Sequence, residues 1–424
     1  MSGMDRNSGI LNPEEKFTLE ERLAYQEKFL QDVVRHAYNS GTPLKAAMDG
    51  AGIKPEDIRK VEDLQSLPVT DKTDLANAQK DNPPFGGYCT VPISELLRVH
   101  QSPGPIHDPV ADVPDYWRWK LAIYGAGFRP GDLCINTFAY HLTPAGHMFE
   151  EGACELGCTV IPTGVGNTET QAEIIRNLGV QGYIGTPSFL LAIIKKAESM
   201  GVDVAKEWKM EVSLLLAEML PESTRKRLVD DYHIIGRQAY GTADVGCLSY
   251  ECPQVNGMHI HYDVILEICD PATGEVLPMG EPGEVVVTTA NKVYPLVRFG
   301  TGDLSSVVNE PCECGRVSPK LTRIMGRVDQ LTKVKGMFVH PSQVQKVLDA
   351  YPQIAKGRLL VERPKDSDTM TLEVELKGPA SEDLIPAVET TLKEVAKLKG
   401  VVRVLEPGTL PEDAKTIEDA REWD

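Results

Sequence analysis

Between residues 112 and 240 the sequence alternates between helical and strand-like segments, and this alternation restricts the fold more than any other feature. Helical spacing of apolar residues occurs in DYWRWKLAIYGAG, GHMFEEGACELG, ETQAEIIRNLG and SFLLAIIKKAESMG. Short apolar runs predict strands in DLCINTF, CTVIPTG, QGYIGTP, MEVSLLLAE and IIGRQAYG. Strands that alternate with helices form a parallel sheet covered on both faces. We therefore expect an α/β fold that binds ligands at the carboxyl ends of these strands.

Two domains are expected, separated by the charged segment GRVDQLTKVKG at residues 326–336. A chain of 424 residues is too long for one small core. After residue 255 the pattern is mainly β, and after residue 340 a small α+β unit begins. We predict a large N-terminal domain at 1–326, with mixed and parallel sheets flanked by helices, and a small mobile domain at 327–424. Residues 14–40 predict one long helix.

Composition excludes several classes of protein. The net charge of −18 provides no basic surplus to neutralise phosphates, so a nucleic-acid partner is not expected. The apolar runs are far shorter than the roughly 20 residues that a membrane span needs. The start of the chain has no signal-peptide pattern, and the nine cysteines are an odd number. We expect a cytoplasmic protein with no membrane partner.

Three polar segments are candidates for chemistry. AYGTAD places Asp244 after a Tyr-Gly turn, although most such hexamers are turns that cap a helix. In YPLVRFGTGDLS, Asp303 follows a Gly-Thr-Gly turn and can accept two hydrogen bonds from a vicinal diol. Taken alone, an Asx-turn between strands explains that aspartate better. Lys415 lies near the end of the chain, and this lysine by itself is best explained as part of a frayed tail.

The order and spacing of these segments resemble the adenylate-forming ligases, and more closely their phenylacetate–CoA ligase branch. Similar phrases run along nearly the whole chain, among them LQSLPVTDKTDL, GCTVIPTGVGNTETQ, TPSF, YGTAD, YPLVRFGTGD, GRVDQLTKVKG and LPEDAKTIEDARE. The resemblance implies the adenylate-forming enzyme fold. It also implies an ATP- and Mg²⁺-dependent acyl- or aryl-CoA ligase that converts a carboxylic acid, through an acyl-AMP intermediate, to a CoA thioester. The partners are then a small acid and CoA, and a homodimer is left open.

The resemblance assigns a role to individual positions of the nucleotide site. Asp303 matches the acid that binds the ATP ribose, and Arg327 matches the neighbouring basic residue. Ala217 and Glu218 match the stretch that flanks the adenine, although Leu216 stands where the family has a glycine. Tyr240 and Gly241 match the wall between the adenine and the acyl group, and Thr242 is assigned to the nucleotide site with them.

Catalysis and domain movement are assigned in the same way. Asp244 matches an acid, usually Glu, that helps to place Mg²⁺. Lys415 matches the lysine that binds the α-phosphate and the carboxylate, where a cation reduces the repulsion between two anions. Asp329 and Gln330 match the hinge about which the small domain turns.

The loop SPGPIHDP, at residues 102–109, departs from the phosphate-binding loop of the family. Ser102 and Gly104 remain, but Pro103 and Pro105 lack backbone N–H donors. Asp108 stands where a lysine would face phosphate, which reverses the charge. Such a degenerate loop should bind a triphosphate poorly. Two alternatives to an ordinary ligase therefore stay open: a ligand-binding or regulatory protein without ATP turnover, and an enzyme that uses a preformed adenylate or acyl-CoA.

The acid pocket is expected around FAYHLTPAG, and its ligand is expected to be aromatic. Tyr140 is the foremost candidate for its lining. His141 stands where relatives have Gly, and a half-buried imidazole with a backbone partner is an equal alternative.

Four residues have the composition of a Cys₃His zinc site: Cys252, His259, Cys312 and Cys314. Four protein ligands leave no open position, so the metal would be structural. His261 is the rival ligand, and two unrelated loops with free thiols are the alternative. A similar constellation occurs in some members of the family branch.

Overall fold

The computed structural model describes residues 5–101, 106–328, 332–334, 337–339, 341–364, 368–379, 381, 383–411 and 414–421. The chain forms two compact units. The first contains residues 1–301 and 305–323, and the second contains residues 302–304 and 324–424. Among the described helices, none has the length and apolar character needed to span a lipid bilayer.

The helices are α1 Leu19–Asn39, α2 Pro43–Ala51, α3 Lys72–Asp81, α4 Lys120–Gly125, α5 Ala145–Leu156, α6 Thr168–Leu178, α7 Pro187–Ser199, α8 Val204–Glu207, α9 Glu222–Tyr232, α10 Pro341–Asp349 and α11 Leu384–Ala396. Short 3-10 helices are Pro13–Lys16, Pro55–Asp57, Val61–Ser66 and Ile93–Glu95.

The strands of the first half are β1 Leu96–Gln101, β2 His107–Ala111, β3 Leu133–Asn136, β4 Thr159–Pro162, β5 Gly182–Gly185, β6 Val212–Leu215, β7 Ile235–Thr242, β8 Gly246–Glu251, β9 Met258–Ile260 and β10 Val264–Cys269. They are followed by β11 Gly283–Thr289, β12 Phe299–Ser305, β13 Val307–Val308, β14 Lys320–Leu321, β15 Gly326–Arg327, β16 Thr332–Val334, β17 Met337–Val339, β18 Ile354–Glu362, β19 Thr369–Leu376, β20 Val401–Leu405 and β21 Ile417–Asp419.

The main sheet of the first unit has the order β13-β14-β9-β8-β7-β6-β5-β3-β4. The pairs from β4 to β7 are parallel, as predicted, and the pairs from β7 to β13 are antiparallel. Neighbouring residues of one strand belong to different apolar clusters: Leu214 packs in one cluster and Leu215 in another. Since successive side chains point to opposite faces, both faces of this sheet are buried. The predicted α/β fold with mixed and parallel sheets is therefore confirmed.

The prediction of one helix over residues 14–40 is wrong at its N-terminal end. α1 begins at Leu19, after a separate 3-10 turn. Thr18 is the N-cap, its side chain accepts from the N–H of Glu21, and Glu21 accepts from the N–H of Thr18. This reciprocal capping box satisfies the first free donors of the helix and therefore fixes where it starts.

The second unit contains a four-stranded sheet in the order β20-β19-β18-β21. Apolar residues of this sheet form one core with residues of α10 and α11. Residues 302–304 of β12 also belong to this unit, and Asp303 pairs there with Arg327 of β15. The unit thus has a hydrophobic core of its own.

A buried ion pair attaches the N-terminal segment to the main sheet of the first unit. Nε of Arg316 lies 2.6 Å from Oε2 of Glu15, and the two side chains are only 2% and 1% exposed. Tyr250 of β8 donates to the same oxygen at 2.8 Å. Oε1 accepts from the backbone N–H groups of Leu11 and Asn12. Glu15 therefore joins the beginning of the chain to residues 250 and 316.

We predict that Glu15→Ala lowers the free energy of unfolding by about 3–5 kcal/mol, because it leaves the Arg316 guanidinium buried without its carboxylate. Urea denaturation of the full chain measures this change. Asp231→Ala is the control, since Asp231 and its partner Arg227 are 59% and 52% exposed. An exposed pair contributes at most about 1 kcal/mol. Equal losses in the two variants would contradict the importance given to the buried pair.

Candidate active site

The loops after the parallel strands meet at one edge of the main sheet. The Ser188 hydroxyl, just after β5, donates to Oε1 of Glu218, just after β6, at 2.7 Å. The side-chain amide of Gln238 in β7 donates to the Glu218 carbonyl at 3.2 Å. Ala217 has a left-handed backbone, with φ of 64°. The structure thus places Ala217 and Glu218 at the predicted ligand edge of the sheet.

Tyr240, Gly241 and Thr242 lie at the end of β7, where the chain turns into β8. The Tyr240 hydroxyl donates to Oγ1 of Thr301 at 3.2 Å. A Cβ atom at position 241 would lie 2.2 Å from the carbonyl oxygen of Gly246. Only glycine therefore allows this close approach of the two strands.

Asp244 lies in this turn and is paired with a lysine. Nζ of Lys72, at the start of α3, lies 2.9 Å from Oδ2 of Asp244. The Lys72 side chain is 32% exposed, whereas that of Asp244 is 0% exposed. Thr242 also donates to Oδ2, at 3.1 Å. Oδ1 has no hydrogen-bond partner in the part of the chain that the structure describes.

The orphaned Oδ1 of Asp244 provides a test for the Mg²⁺ that the family resemblance implies. Proteins usually bind this ion through one or two carboxylates, with substrate phosphates and waters completing the octahedron. One carboxylate oxygen without a partner agrees with that donor set. Asp244 therefore fits such an ion.

The predicted ribose-binding acid, Asp303, and the neighbouring basic residue, Arg327, meet in the second unit. Asp303 and Arg327 are opposite each other in the β12–β15 pair, and Nη1 of Arg327 donates to Oδ1 of Asp303 at 2.9 Å. Lys415 lies in the same unit, just before β21, and is exposed.

The predicted acid-pocket residues line one cavity of about 440 Å³ beyond the ends of β3 and β4. The lining consists of Ala139, Tyr140, His141, Pro162, Thr163, Gly164 and Val165. The buried amide of Asn136 donates to the Tyr140 hydroxyl at 2.9 Å. Burial, together with a hydrogen bond to Glu150, raises the pKa of Tyr140. His141 is exposed, so the alternative of a half-buried imidazole is wrong.

Part of the predicted phosphate loop is a strand. Ser102 and Gly104 lie outside the described residues, as do the predicted hinge residues Asp329 and Gln330. Asp108, however, belongs to β2, where it pairs with His100 of β1 and is only 3% exposed. The expectation that residues 107–109 form a loop that turns Asp108 toward phosphate is therefore wrong. Antiparallel pairing with β1 holds these residues in extended conformation.

The structure brings the four candidate metal ligands together within the first unit. The ligand atoms of Cys252, His259, Cys312 and Cys314 lie within 4.8 Å of one another. Sγ of Cys252 is 3.6 Å from Sγ of Cys312, and Sγ of Cys314 is 3.4 Å from Nε2 of His259. Ligand bonds of about 2.3 Å in a tetrahedron separate two sulfurs by about 3.8 Å. The spacing therefore fits a zinc ion.

The surroundings of the cluster also suit a metal ligand. Nδ1 of His259 is 3.1 Å from Oγ of Ser318, which leaves Nε2 directed at Cys314. Hydrogen bonding with Cys252 lowers the pKa of Cys314, and the same contact raises the pKa of Cys252. His261 is not in the cluster, because its Nδ1 accepts from the N–H of Asp263 at 3.1 Å. The structure thus selects His259 over its rival.

Comparison with known proteins agrees with this geometry. The AMP-binding enzyme family matches residues 121–293, and the AMP-binding enzyme C-terminal domain family matches residues 336–421. A phenylacetate-coenzyme A ligase of Thermus thermophilus is 34% identical over 386 residues, which cover 87% of this chain and 85% of that protein. The chain belongs to the phenylacetate-coenzyme A ligase family. The member from Escherichia coli K12 is 31% identical over 381 residues, with the same coverage.

A solved structure shows the same fold. It is an open conformation of 2-hydroxyisobutyryl-CoA ligase in complex with 2-HIB-AMP and CoA, and it matches with a TM-score of 0.86 and 23% identity. The match covers 98% of this chain and 97% of that one. The chain therefore has the adenylate-forming enzyme fold, and the predicted family and fold are confirmed.

Sequence reasoning gave no role to three residues that the structure places beside the predicted ones. Lys72 contacts Asp244, Asn136 contacts Tyr140, and Ser188 contacts Glu218. Lys72 and Ser188 lie in phrases, LPVTDKTDL and TPSF, that carried the family resemblance. Those phrases were the available signal, but the contacts of Lys72 and Ser188 join segments that are far apart in sequence, whereas Asn136 and Tyr140 are only four residues apart.

We predict that Gly241→Ala lowers the free energy of unfolding by about 1–3 kcal/mol, since the added Cβ would overlap the Gly246 carbonyl and force the turn to shift. Gly50→Ala is the matched control. It lies in α2 with no atom within 4 Å of the new Cβ, so it should be neutral or slightly stabilising. Urea denaturation compares the two, and a harmless Gly241→Ala would contradict the close approach.

Proposed function

We propose that this protein is an ATP-dependent acid–CoA ligase that activates an aromatic carboxylic acid through an acyl-AMP intermediate. The observation that carries the proposal is the match to phenylacetate-coenzyme A ligases over 87% of the chain, which includes both units. In the first step the acid's carboxylate attacks the α-phosphorus of ATP and pyrophosphate leaves. In the second step the CoA thiol attacks the acyl carbonyl and AMP leaves.

Each predicted nucleotide-binding residue has a proposed role in binding one part of the nucleotide. Asp303 would accept hydrogen bonds from the ribose hydroxyls, with its carboxylate oriented by the 2.9 Å bond from Arg327. Ala217, Glu218, Tyr240, Gly241 and Thr242 would surround the adenine. Lys415 would bind the α-phosphate and the attacking carboxylate. Placing an ammonium group between two anions reduces their repulsion and stabilises the charge that develops on the transferred phosphate.

Asp244 and Lys72 are proposed to act beside the phosphates. Mg²⁺, held by Oδ1 of Asp244, would supply positive charge to the polyphosphate. Lys72 fixes the other carboxylate oxygen at 2.9 Å and so orients Oδ1. Aspartate is one methylene shorter than glutamate, and the short ion pair from α3 limits the positions that its carboxylate can take.

The cavity beyond β3 and β4 is the proposed acid site. Its volume of about 440 Å³ is within the range of small-molecule sites. The hydroxyl of Tyr140 is occupied by Asn136 and Glu150, so this residue would present its ring to an aromatic acid. His141, exposed at the same cavity, would be able to contact a polar substituent of that acid.

ATP–pyrophosphate exchange with a panel of aromatic and short aliphatic acids tests the proposal. Exchange that depends on an aromatic acid and Mg²⁺ supports it. Binding of AMP without exchange for any acid would instead favour the second candidate, a protein that has lost ATP turnover or uses a preformed adenylate or acyl-CoA. The sequence of the degenerate loop, with Pro103 and Pro105, is the feature that favours this second candidate.

We predict that Lys415→Ala lowers the adenylation rate by about a hundredfold or more, while thioester formation from synthetic acyl-AMP is largely retained. This split is expected if the C-terminal domain turns about Asp329 and Gln330 and carries Lys415 away for the second step. Each half-reaction is measured separately. Lys393→Ala, an exposed lysine of α11, is the control. An equal loss in both half-reactions would rule out this role for Lys415.

We also propose that the Cys₃His cluster binds a structural zinc ion. Four ligand atoms within 4.8 Å fill a tetrahedral site, so no position remains for substrate. Zinc there would join the loop after β8 to the loop before β14. Arg316, two residues after Cys314, continues this connection to Glu15 of the N-terminal segment.

We predict that the purified chain contains one zinc ion and that Cys312→Ser loses it and unfolds at a lower temperature. Metal analysis and calorimetry measure the two effects. The control is Cys154→Ser, because that exposed thiol is outside the cluster. Zinc-free protein with an unchanged melting temperature would show that the four residues are only neighbouring thiols and an imidazole.

A further inference from the structure

The turn that carries Asp244 is held by the segment between β2 and α4. Nη2 of Arg118 donates to the carbonyl oxygen of Val245, the residue directly after Asp244. The N–H of Cys247, at the other end of the turn, donates to the Trp117 carbonyl at 2.8 Å. Two adjacent residues, Trp117 and Arg118, thus fix both sides of Val245 and Gly246.

The contact with Trp117 leaves no free space. A Cβ atom at Gly246 would lie 2.5 Å from the carbonyl oxygen of Trp117, and Gly246 has a positive φ of 72°. Glycine is therefore required for two independent reasons, its conformation and its packing. A side chain at position 246 would therefore clash with the Trp117 backbone.

Burying the charge of Arg118 to make this one contact costs free energy. Arg118 is 9% exposed, and its Nε has no hydrogen-bond partner among the described residues. Asp263 and Asp115 interact favourably with the Arg118 charge, but neither forms an ion pair with it within 4 Å in the described part of the chain. Burial lowers the pKa of Arg118, which reflects the unfavourable environment of the charge. Burying a cation without a direct ion pair costs free energy, and here the two carboxylates offset that cost only in part, so the position of Arg118 calls for a reason other than stability.

The backbone around Arg118 is strained as well. Asp115 and Arg118 both have left-handed backbones, with φ of 50° and 62°. Residues other than glycine adopt such backbone angles only when the surrounding structure enforces them, and this kind of backbone strain is concentrated at functional sites. Here the N–H of Lys120 donates to Oδ1 of Asp115, and that of Tyr116 donates to Glu151 of α5 at 2.9 Å.

We propose that Arg118 is a positioning residue for the adenylation step, acting through the Val245 carbonyl to hold the Asp244 turn against Lys72. The inference rests on the proposed function, in which Asp244 acts beside the phosphates. Arg118 itself does not touch substrate. The Arg118 guanidinium, on a strained backbone, donates to the Val245 carbonyl. That hydrogen bond fixes Val245, which directly follows Asp244.

Arg118→Gln tests the proposal. Because a misplacement of about 1 Å can cost about a hundredfold in rate, we expect adenylation to fall about 10- to 100-fold. Thioester formation from synthetic acyl-AMP should stay within about threefold, since it does not need the triphosphate to be held. Arg22→Gln is the matched control, because Arg22 is also buried and donates to the backbone carbonyl of His261. Its rates per folded molecule should not change.

The double variant Arg118→Gln with Asp244→Asn identifies the route of the effect. If Arg118 acts through the turn, adding Arg118→Gln to Asp244→Asn should cost less than about threefold, because interacting residues are not additive. Multiplied losses, equal losses in both half-reactions, or a loss no larger than in Arg22→Gln would overturn the proposal.

Two further variants separate the possible failures. Full adenylation by Asp244→Asn alone would show that the proposed role of Asp244 fails, and this inference with it. An impaired Asp244→Asn with a normal Arg118→Gln would overturn this inference only. If Arg118→Gln does not fold, Gly246→Ala displaces the same turn from the side of Trp117, and the same difference between the half-reactions is expected. Its absence would count against the proposal.

Discussion

Parallel hydrogen bonding between β3, β5, β6 and β7 is the constraint on which the candidate active site depends. Cys134 pairs with Gly182, Gly182 with Val212, and Val212 with Ile235. Since these pairs lie at one level, the strands end at the same edge and deliver their loops there. β7 is the last parallel strand, and its other neighbour, β8, is antiparallel. The tight turn between β7 and β8 therefore brings Asp244 to the edge where the other loops meet.

Buried charges fix how distant segments are attached to this sheet. Arg298 lies 3.2 Å from Glu267 with exposures of 2% and 6%, and Arg316 is as deeply buried with Glu15. Such pairs add little net stability compared with apolar residues, but breaking one leaves a buried charge. Alternative arrangements of the same segments are thereby penalised. The pair at Glu15 has a further consequence, because it connects the N-terminal segment to the loop that contains Cys314.

The sequence predicted the parts of the structure that depend on local pattern and order. The alternation of helices and strands identified the sheet. The ordered motifs identified the family and predicted that Asp303 and Arg327 are neighbours, as they are in the structure. Long-range contacts were not predictable, because nothing local to Lys72 or Arg118 indicates which turn they reach. Asp108 was misplaced because a loop motif was extended into residues that β1 holds as a strand. His259 and His261 are two positions apart and would point to the same face of a continuous strand. However, β9 ends at Ile260, and the turn after it removes His261 from the cluster.

The pair of Lys72 and Asp244 has an unequal exposure that matters for an anionic substrate. Its two charges cancel at long range, but the carboxylate is fully buried and the ammonium is one-third exposed. A phosphate that approaches from solvent meets the ammonium first, and Coulomb energy falls with distance. At short range the neutral pair therefore attracts an anion. The ion pair thus presents a partly exposed cation beside Asp244 without adding net positive charge to the fold.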